Sequence, residues 1–398
     1  MTAGGATTII LTATTLTGTI LAGERFIISG TTYTAIQAAT AAANLLTVSV
    51  TPAVPVAGIA ATTAVTGYNQ QAPLAHAVIV TPERFLVALG ANSNVRNVWW
   101  CDQESTTQWG ELSTNAAGQY ELPTAGRILF GAKTRNQTLV MTDVDLWTMT
   151  YIGGTFIYRF DQAGTNCGAI SPHAGVASDT RYCWMGNNSF FIYDGFVKAL
   201  PCEVADYVFE RLNQTQKSKV WAMARPEFGE LWWHYPSGSS NECNSYVVYN
   251  EREGHWTIGE SSWAAGYANG ATQYPILCDS AGAVWEHENN NAGTRAASAY
   301  LESGPIEAGQ GDNLIQLQGM AGDVSATNGT QGDILSIVVY SALWPNTTEG
   351  ASVSQSFGVS PFAIRKTGRY LRMRLTENHN LDWRLGLIRA SIQTLGTR

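Results

Sequence analysis

Short apolar runs closed by turn residues recur along almost the whole chain. In the middle of the sequence, Phe190–Tyr193 leads into Asp194-Gly195, and Glu230–Tyr235 leads into Pro236-Ser237-Gly238. Short runs of β-branched and aromatic residues, bounded by Gly, Pro, Asn or Asp, are typical of strands joined by tight turns. The pattern therefore predicts an all-β protein made of hairpins, and its most aromatic part lies between residues 181 and 260.

The strand-and-turn pattern repeats in similar blocks from about residue 77 to residue 286. Five aromatic residues mark the successive blocks: Trp99, Trp147, Tyr193, Tyr249 and Trp285. Their spacings of about 35 to 55 residues bracket the length of a propeller blade and indicate four to five units. Because radial sheets of four short strands need no helices, we predict a β-propeller over residues 69–292, with a large β-sandwich as the alternative.

Segments of different composition flank this region. Residues 1–68 consist mostly of Thr, Ala, Val, Ile and Gly and end in a linker rich in Pro and Gly, which predicts a small N-terminal β domain. That domain is either a docking module or a spacer. Residues 293–398 follow an Asn-rich boundary and contain alternating strand-like runs, which predict a C-terminal β-sandwich.

Two local patterns predict helical structure. Val204, Val208 and Leu212 recur every four residues between Pro201 and Asn213, which predicts a helix that covers the edge of a blade. A helix that binds a partner is the alternative. In the N-terminal domain, the alanine-rich stretch 38–43 suits a single helical turn.

Composition narrows the possible functions. Charged residues make up only 14% of the chain, against about a quarter in ordinary soluble domains, so we expect much of the surface to be buried against other subunits. The net charge of −8 argues against a protein that grips nucleic acid over its whole surface, but a channel for DNA is compatible with it. With neither a signal-peptide pattern nor 18 consecutive apolar residues, we expect a soluble protein without a membrane span, made in a cytoplasm.

The C-terminal end has the opposite charge. From Arg365 onward there are eight basic and two acidic residues. Leu371, Met373 and Leu375 alternate with basic residues along one predicted strand, so the two sets face opposite sides. The candidate contact residues are Arg365, Lys366, Arg369, Arg372 and Arg374. They would meet DNA phosphates or an acidic neighbouring subunit; a solvated or internally paired face is the alternative.

Motifs for catalysis or cofactors are missing from the sequence. The six cysteines lie far apart without zinc-ligand spacing, so we expect buried free thiols, no metal and no cofactor. Several glutamates lie in an aromatic setting, but spacing alone cannot pair two of them as a glycosidase requires. The stretch Asp279–Trp285 departs from the sialidase box by one extra residue. The sequence therefore predicts no enzyme and no catalytic residue, and its Trp and Tyr clusters are better explained as packing between blades than as a sugar site.

An ordered series of aromatic and glycine motifs nevertheless resembles a known family. The motifs span about residues 73–398 and include Thr81-Pro82-Glu83-Arg84-Phe85, Val98-Trp99-Trp100, Thr142-Asp143, Tyr182-Cys183-Trp184-Met185, Leu200-Pro201-Cys202, Trp232-Trp233-His234-Tyr235-Pro236, Tyr246-Val247-Val248-Tyr249-Asn250 and Trp383-Arg384-Leu385-Gly386. In this order they resemble the nozzle or hub proteins of short-tailed bacteriophages, also called tail tubular protein B or head-to-tail stabilisation proteins.

The resemblance implies a structural virion protein of the phage tail, assembled in the host cytoplasm as a hexameric ring with a β-propeller fold. Its expected partners are further copies of itself, the adaptor and portal ring proteins, tail fibre or spike proteins, and phage genomic DNA that passes through the lumen without sequence-specific binding. The ring would close the DNA channel before infection and conduct the genome afterwards. A receptor- or glycan-binding tail protein is the alternative, and a polysaccharide depolymerase is a further one.

Overall fold

The chain folds into two compact units, residues 1–287 and 288–398. The computed structural model describes residues 5–12, 19–20, 24–28, 31–55, 58–60, 65–68, 72–111, 115–134, 137–154, 156–178, 181–268, 272–287, 289, 298–307, 311–326, 334–344, 347–352, 354–358, 360–378 and 383–396. The predicted boundaries after residues 68 and 292 adjoin or fall within stretches outside these ranges, so the division into three domains stays a prediction.

The N-terminal part of unit 1 is a small antiparallel sheet with a core of its own. Its strands β1 to β7 are Thr8–Thr12, Thr19–Ile20, Arg25–Ile28, Thr31–Ala35, Ala39–Thr40, Leu45–Thr51 and Val65–Tyr68. Five of them pair in the order β1-β6-β4-β3-β7, and β2 pairs with β5. Alternate residues are buried, among them Phe26, Tyr33 and Val48, because successive side chains of a strand point to opposite faces. The helical turn predicted at 38–43 is wrong, since strand β5 occupies its centre and Ala43 and Asn44 adopt positive φ angles in a tight turn.

The rest of unit 1 is a series of antiparallel meanders that we number as blades 1 to 5. Strands β8 to β11 of blade 1 are Ala77–Val80, Leu86–Leu89, Asn97–Trp100 and Gly118–Glu121; β12 to β15 of blade 2 are Ile128–Lys133, Thr138–Thr142, Leu146–Tyr151 and Tyr158–Gly164; β16 to β19 of blade 3 are Gly175–Ala177, Tyr182–Met185, Phe190–Tyr193 and Val197–Leu200; β20 to β23 of blade 4 are Trp221–Arg225, Glu230–Tyr235, Ser245–Asn250 and His255–Glu260; β24 to β26 of blade 5 are Trp263–Tyr267, Ile276–Asp279 and Val284–Glu286.

The blades are arranged around their first strands. Strand β8 lies beside β12, β16 beside β20, and β20 beside β24. Between blades 3 and 4 this contact is a parallel bridge, in which the amide of Ala222 donates to the carbonyl oxygen of His173 at 2.9 Å. Successive four-stranded meanders joined through their first strands make a propeller-type fold, so the predicted all-β, propeller architecture is confirmed.

The repeat inferred from the aromatic anchors has a simple structural meaning. Trp99, Trp147, Tyr193, Tyr249 and Trp285 lie on β10, β14, β18, β22 and β26, the third strand of every blade. The motif 232–235 lies on the second strand of blade 4, because β20 precedes it as the first strand. The aromatic region is therefore the repeated framework of the fold.

Aromatic side chains fill the seams between blades. Trp184 and Trp233 are fully buried, and each indole still donates a hydrogen bond, to the carbonyl oxygens of Cys167 (2.6 Å) and Ala174 (2.9 Å) respectively. A buried indole N–H needs such a partner. The expectation that these residues pack between blades is confirmed, as is the expectation of free thiols, since all six cysteines are unbonded and four are buried.

The α-helix α1 connects blades 3 and 4 at Ala205–Arg211. It lies within the predicted stretch and buries Val208 against the core of blades 3 and 4. Short 3-10 turns occur at Ala91–Ser93 and Lys217–Lys219. Within the described part of the chain, no helix has the length and apolar character that spanning a membrane requires.

Unit 2 is the predicted two-layer β-sandwich. Its strands β27 to β34 are Tyr300–Glu302, Ile315–Ala326, Leu335–Ala342, Gly350–Ala351, Gln355–Phe357, Phe362–Gly368, Tyr370–Glu377 and Trp383–Thr394. One sheet has the order β27-β33-β29-β30, with β31 also paired to β29, and the other has the order β32-β28-β34. Both contribute to one buried core, which includes Leu317 from one sheet and Val339, Leu371 and Leu375 from the other.

Candidate functional site

A cleft of about 500 Å³ opens where the first strands of blades 3, 4 and 5 begin. We call it the three-blade cleft; its lining residues are His173, Ser218, Lys219, Trp221, Ala222, Glu242, Cys243, Ala264, Ala265 and Gly266. Each first strand starts at this end, and the loop between β21 and β22 returns to it, because alternate turns of an antiparallel meander lie at the same end. The cleft is thus a product of blade stacking.

A charge pair lies at the wall of the three-blade cleft. The ammonium group of Lys219 contacts the carboxylate of Glu242 and donates to the carbonyl oxygen of Asn241 at 2.6 Å. Burial raises the pKa of the neighbouring Cys243 thiol to about 12, and the thiol donates weakly to the carbonyl oxygen of Lys219 at 3.3 Å. Since only a thiolate is strongly nucleophilic, the raised pKa makes the Cys243 thiol a weak nucleophile at neutral pH. The opposite charges of Lys219 and Glu242 compensate each other at the wall of the cleft.

Trp221 joins the three blades behind this wall. Its indole stacks on the imidazole of His234 with ring centroids 4.1 Å apart and an interplanar angle of 8°. His234 is fully buried, and within the described residues its Nε2 has no hydrogen-bond partner. Burial, and to a smaller extent the nearby His287, lowers the pKa of His234 to about 3. The ring is therefore neutral at physiological pH and acts as an aromatic spacer.

The candidate basic residues of unit 2 do not form one free basic face. Arg372 contacts both Glu302 (2.5 Å) and Glu349, and its hydrogen bond lowers the pKa of the Glu349 carboxyl group. Arg374 contacts Glu302 at 3.7 Å. Glutamates on neighbouring elements therefore pair with the arginines of β33. This arrangement agrees with the alternative of an internally paired face.

Three of these arginines also stack on aromatic rings. The guanidinium groups of Arg369, Arg372 and Arg374 lie 4.3, 4.3 and 4.1 Å from the ring centroids of Trp344, Tyr340 and Tyr300. Cation–π contacts of this kind hold an arginine side chain in place. They make the row of arginines a fixed surface element.

The remaining two candidates lie on the other sheet. Arg365 and Lys366 belong to β32, where Arg365 is exposed and Lys366 donates to the carbonyl oxygen of Ala351 at 3.0 Å. Over the whole of residues 288–398 there are nine basic and nine acidic residues. The positive charge of the C-terminal end is thus balanced within the unit, and contact with DNA or a subunit stays a prediction for all five residues.

Three of the glutamates that a glycosidase could use have other partners. Glu230 accepts a hydrogen bond from Trp232 Nε1 at 2.9 Å, Glu242 is paired with Lys219, and Glu251 accepts from the Ser178 hydroxyl at 2.5 Å. Asp279 of the incomplete sialidase box closes a turn and accepts from Trp285 Nε1 at 3.1 Å. In the ranges that the structure describes, no group of three or more His, Cys, Asp or Glu residues could hold a metal ion.

Sequence reasoning missed the three-blade cleft. Lys219 and Glu242 lie 23 residues apart on different loops, and His173 comes from another blade, so no local spacing links them. The motif containing His234 was visible in the sequence, but its stacking on Trp221 depends on the register between β20 and β21, in which Trp221 lies opposite His234. The sequence could have revealed the contact between Trp221 and His234 only through a correct prediction of the register between β20 and β21.

Comparisons with known proteins assign no family. No protein-family model and no curated protein matches the chain. Among solved structures, the chain is similar to the N-terminal domain of Nup159 (10% identity, TM-score 0.34, 70% of this chain and 84% of the other). It is also similar to an exo-β-1,3-galactanase from Phanerochaete chrysosporium (9% identity, TM-score 0.30, 81% and 97%) and to a glycoside hydrolase (8% identity, TM-score 0.25, 80% and 97%). These likenesses are too weak to carry an argument about function.

Proposed function

We propose that this chain is a structural tail protein of a short-tailed bacteriophage, a nozzle or hub subunit that assembles into a hexameric ring below the portal and adaptor. The observation that carries the proposal is the ordered series of motifs that resembles this family. Some of those motifs lie on the repeated strands of the blades: Tyr182–Met185, Glu230–Tyr235 and Ser245–Asn250 are middle strands of blades 3 and 4. In blades 3 and 4, the likeness therefore concerns strands that form the framework of the blade.

The charge distribution supports a conduit for DNA. Residues 1–287 contain 14 basic and 22 acidic residues, whereas residues 288–398 are neutral overall. An acidic wall repels phosphates, so DNA would pass through the ring without being held. The arginines of β33 are paired with Glu302 and Glu349, which further lowers their affinity for phosphate.

In this proposal the mechanism is geometric. Copies of the propeller pack around the axis, one end meets the adaptor ring, and loops at the other end close the lumen until infection opens it. Tail fibres or spikes attach to the outside of the ring. The mature location is the virion, after assembly in the host cytoplasm.

Electron microscopy of the purified full-length chain, alone and mixed with the portal and adaptor proteins of its phage, tests the proposal. We expect rings coaxial with the adaptor. A protein that stays monomeric with the adaptor present would refute it. A reducing-sugar assay on host polysaccharide separates the enzyme alternative: sugar release that one carboxylate substitution abolishes would show a depolymerase instead.

A further inference from the structure

A single Asp-Gly pair occurs in the sequence, and it lies at the tip of a hairpin of blade 3. Asp194, Gly195 and Phe196 form the turn between β18 and β19, and all three are exposed. Gly195 has a φ of 114°, which glycine adopts without strain. Nothing lies within 4 Å of the place that an added Cβ would occupy there. A carboxyl group therefore lies next to a backbone amide that no side chain covers.

An aspartate before a glycine has a rearrangement of its own main chain open to it. The amide nitrogen of Gly195 bonds to Cγ of Asp194, while the amide proton and the carboxyl hydroxyl leave as water, so a five-membered succinimide ring forms. Water then opens the ring. Attack at the former main-chain carbonyl breaks the original peptide bond and gives isoaspartate, whereas attack at Cγ regenerates aspartate. The net reaction is an isomerisation that needs no oxidant, reductant or cofactor.

The carboxylate of Asp194 is engaged by Lys198. The ammonium group of Lys198 donates to its two oxygens at 3.1 and 2.9 Å from strand β19, on the other side of the turn. These hydrogen bonds, together with the positive charge of Lys198, lower the pKa of Asp194. Ring closure expels a hydroxyl group and so proceeds from the protonated acid. A lower pKa leaves less of that acid at neutral pH.

Asp279 offers an internal comparison in blade 5. It precedes a serine in the turn between β25 and β26, and its carboxylate accepts hydrogen bonds from the amides of Ala281 (3.0 Å) and Ala283 (2.9 Å) and from the indole of Trp285 (3.1 Å). Donors of the same turn hold this carboxylate, and the serine side chain obstructs the following amide nitrogen. Asp194 lacks that obstruction and is held by a lysine side chain that is 57% exposed.

We propose that Asp194-Gly195 is a site of isoaspartate formation and that Lys198 limits the rate of this modification. The inference does not depend on the proposed role in a phage tail. Conversion adds a methylene group to the main chain directly after Tyr193, whose hydroxyl group donates to the side-chain oxygen of Gln137 in blade 2 at 3.0 Å. The modification therefore alters a turn beside a contact between blades 2 and 3.

Peptide mapping of the full-length chain, incubated at neutral pH in water labelled with heavy oxygen, tests the proposal. Each cycle of ring closure and opening places one heavy oxygen atom in the product, and fragment ions assign it to a residue. We expect Asp194 to take up the label and to accumulate isoaspartate with time, while Asp279 stays unchanged. Asn269-Gly270 and Asn328-Gly329 lose ammonia through the same type of ring, so their change in mass distinguishes them and shows that the incubation was long enough.

Three substitutions identify the roles of the two side chains. Lys198→Met should raise the rate of isoaspartate formation at Asp194 about twofold to fivefold, the range expected for an exposed ion pair. Lys217→Met is the matched control, because the ammonium group of Lys217 contacts the amide oxygen of Asn187 and not a carboxylate; it should react like the wild type. Asp194→Glu should abolish the uptake of label, since a glutamate closes a six-membered ring far more slowly. Near-ultraviolet circular dichroism checks that each variant is folded.

The pH dependence separates the charge of Lys198 from a general loosening of the turn. Arg181 also acts on the Asp194 carboxylate through its charge, but it is common to the wild type and to Lys198→Met. As the pH falls below the ordinary pKa of aspartate, the carboxyl group becomes protonated in both proteins. The two rates should therefore approach each other in acid.

Two results would overturn the proposal. The first is a wild-type Asp194 that takes up no heavy oxygen while the two Asn-Gly pairs of the same sample react. The second is an equal rate for the wild type and Lys198→Met at neutral pH, or a ratio of the two rates that stays constant in acid, either of which would show that the charge of Lys198 does not limit the reaction. Ring formation in electron microscopy is measured separately, so the two proposals fail independently.

Discussion

The indole Nε1 of Trp221 donates a hydrogen bond to the backbone carbonyl oxygen of Trp263 at 3.0 Å, and this bond joins the first strands of blades 4 and 5. The same indole lies flat against His234 and lines the three-blade cleft. The Trp221 side chain therefore makes contacts both within blade 4, to His234, and between blades 4 and 5, to Trp263.

Replacing Trp221 with Phe should destabilise unit 1. The ring would still stack on His234, but the carbonyl oxygen of Trp263 would lose its donor, so we expect the free energy of unfolding to fall by about 1–3 kcal/mol. Urea denaturation followed by near-ultraviolet circular dichroism measures the change. Trp285→Phe is the control, because that indole is half-exposed and its loss should cost under about 0.5 kcal/mol. Equal losses of unfolding free energy for the two substitutions would show that the hydrogen bond between Trp221 and Trp263 does not stabilise the packing of blades 4 and 5.

His234 should make the protein less stable in acid. Its pKa is about 3 in the folded protein and about 6.5 when the chain unfolds, so below pH 6.5 the unfolded state binds the extra proton. Stability is then fully present above pH 6.5 and is lost as the pH falls toward 3, by up to about 1.4 kcal/mol per pH unit.

The variant His234→Phe isolates this effect. Phe keeps an aromatic ring between Trp221 and Trp232 but cannot titrate. Because every other ionisable group is common to both proteins, including His287, the difference between the two stability curves reports His234 alone. As the pH falls from 7 to 4, the urea midpoint of the wild type should decrease relative to that of the variant. The two midpoints then become equal, or the variant becomes the more stable protein. A constant difference over this range would contradict the expected proton linkage.

Arg372→Gln should destabilise unit 2 by about 1 kcal/mol, because Arg372 contacts Glu302 and Glu349 in a partly buried network. The pair with Glu349 has a lowered carboxyl pKa, so its contribution is present above the ordinary pKa of glutamate and is lost as the pH falls through the lower folded value. Arg365→Gln removes the same charge from an exposed position and should change stability by under about 0.5 kcal/mol. Thermal unfolding of both variants, at neutral pH and at pH 3, measures this; a loss that persists at pH 3 would show that Arg372 acts through packing alone.

Gly168→Ala should be strongly destabilising. An added Cβ at Gly168 would lie 2.1 Å from the carbonyl carbon of Asp143, in the turn between β13 and β14. Backbone atoms cannot move aside cheaply, so we expect a loss of about 3 kcal/mol. Gly304→Ala is the control, since nothing lies within 4 Å of the place that an added Cβ would occupy there, and it should be neutral or slightly stabilising. If urea denaturation showed a Gly168→Ala protein as stable as the wild type, the backbone at Gly168 and the turn at Asp143 would be able to move apart at little cost.

Local sequence was sufficient for most of the secondary structure. The turn residues after Phe190–Tyr193 and Glu230–Tyr235 predicted hairpins. The anchors from Trp99 to Trp285 predicted four to five units, and they lie on the third strands of five blades. Such features depend on neighbours within a few residues, as hairpin turns and strand alternation do. The error at 38–43 has the opposite origin, because there the pairing of β5 with β2 outweighed the helical preference of alanine.

The sequence by itself determined the all-β class, the repeat of short meanders and the alternation that places Leu371 and Leu375 on one face of a strand. Only the tertiary structure decided which distant groups meet. Arg372 forms an ion pair with Glu302, seventy residues earlier in the chain, and Lys219 forms one with Glu242 from a different loop. Periodicity fixes which way a side chain points within a strand, but contacts between strands depend on register and blade packing, which no local pattern encodes.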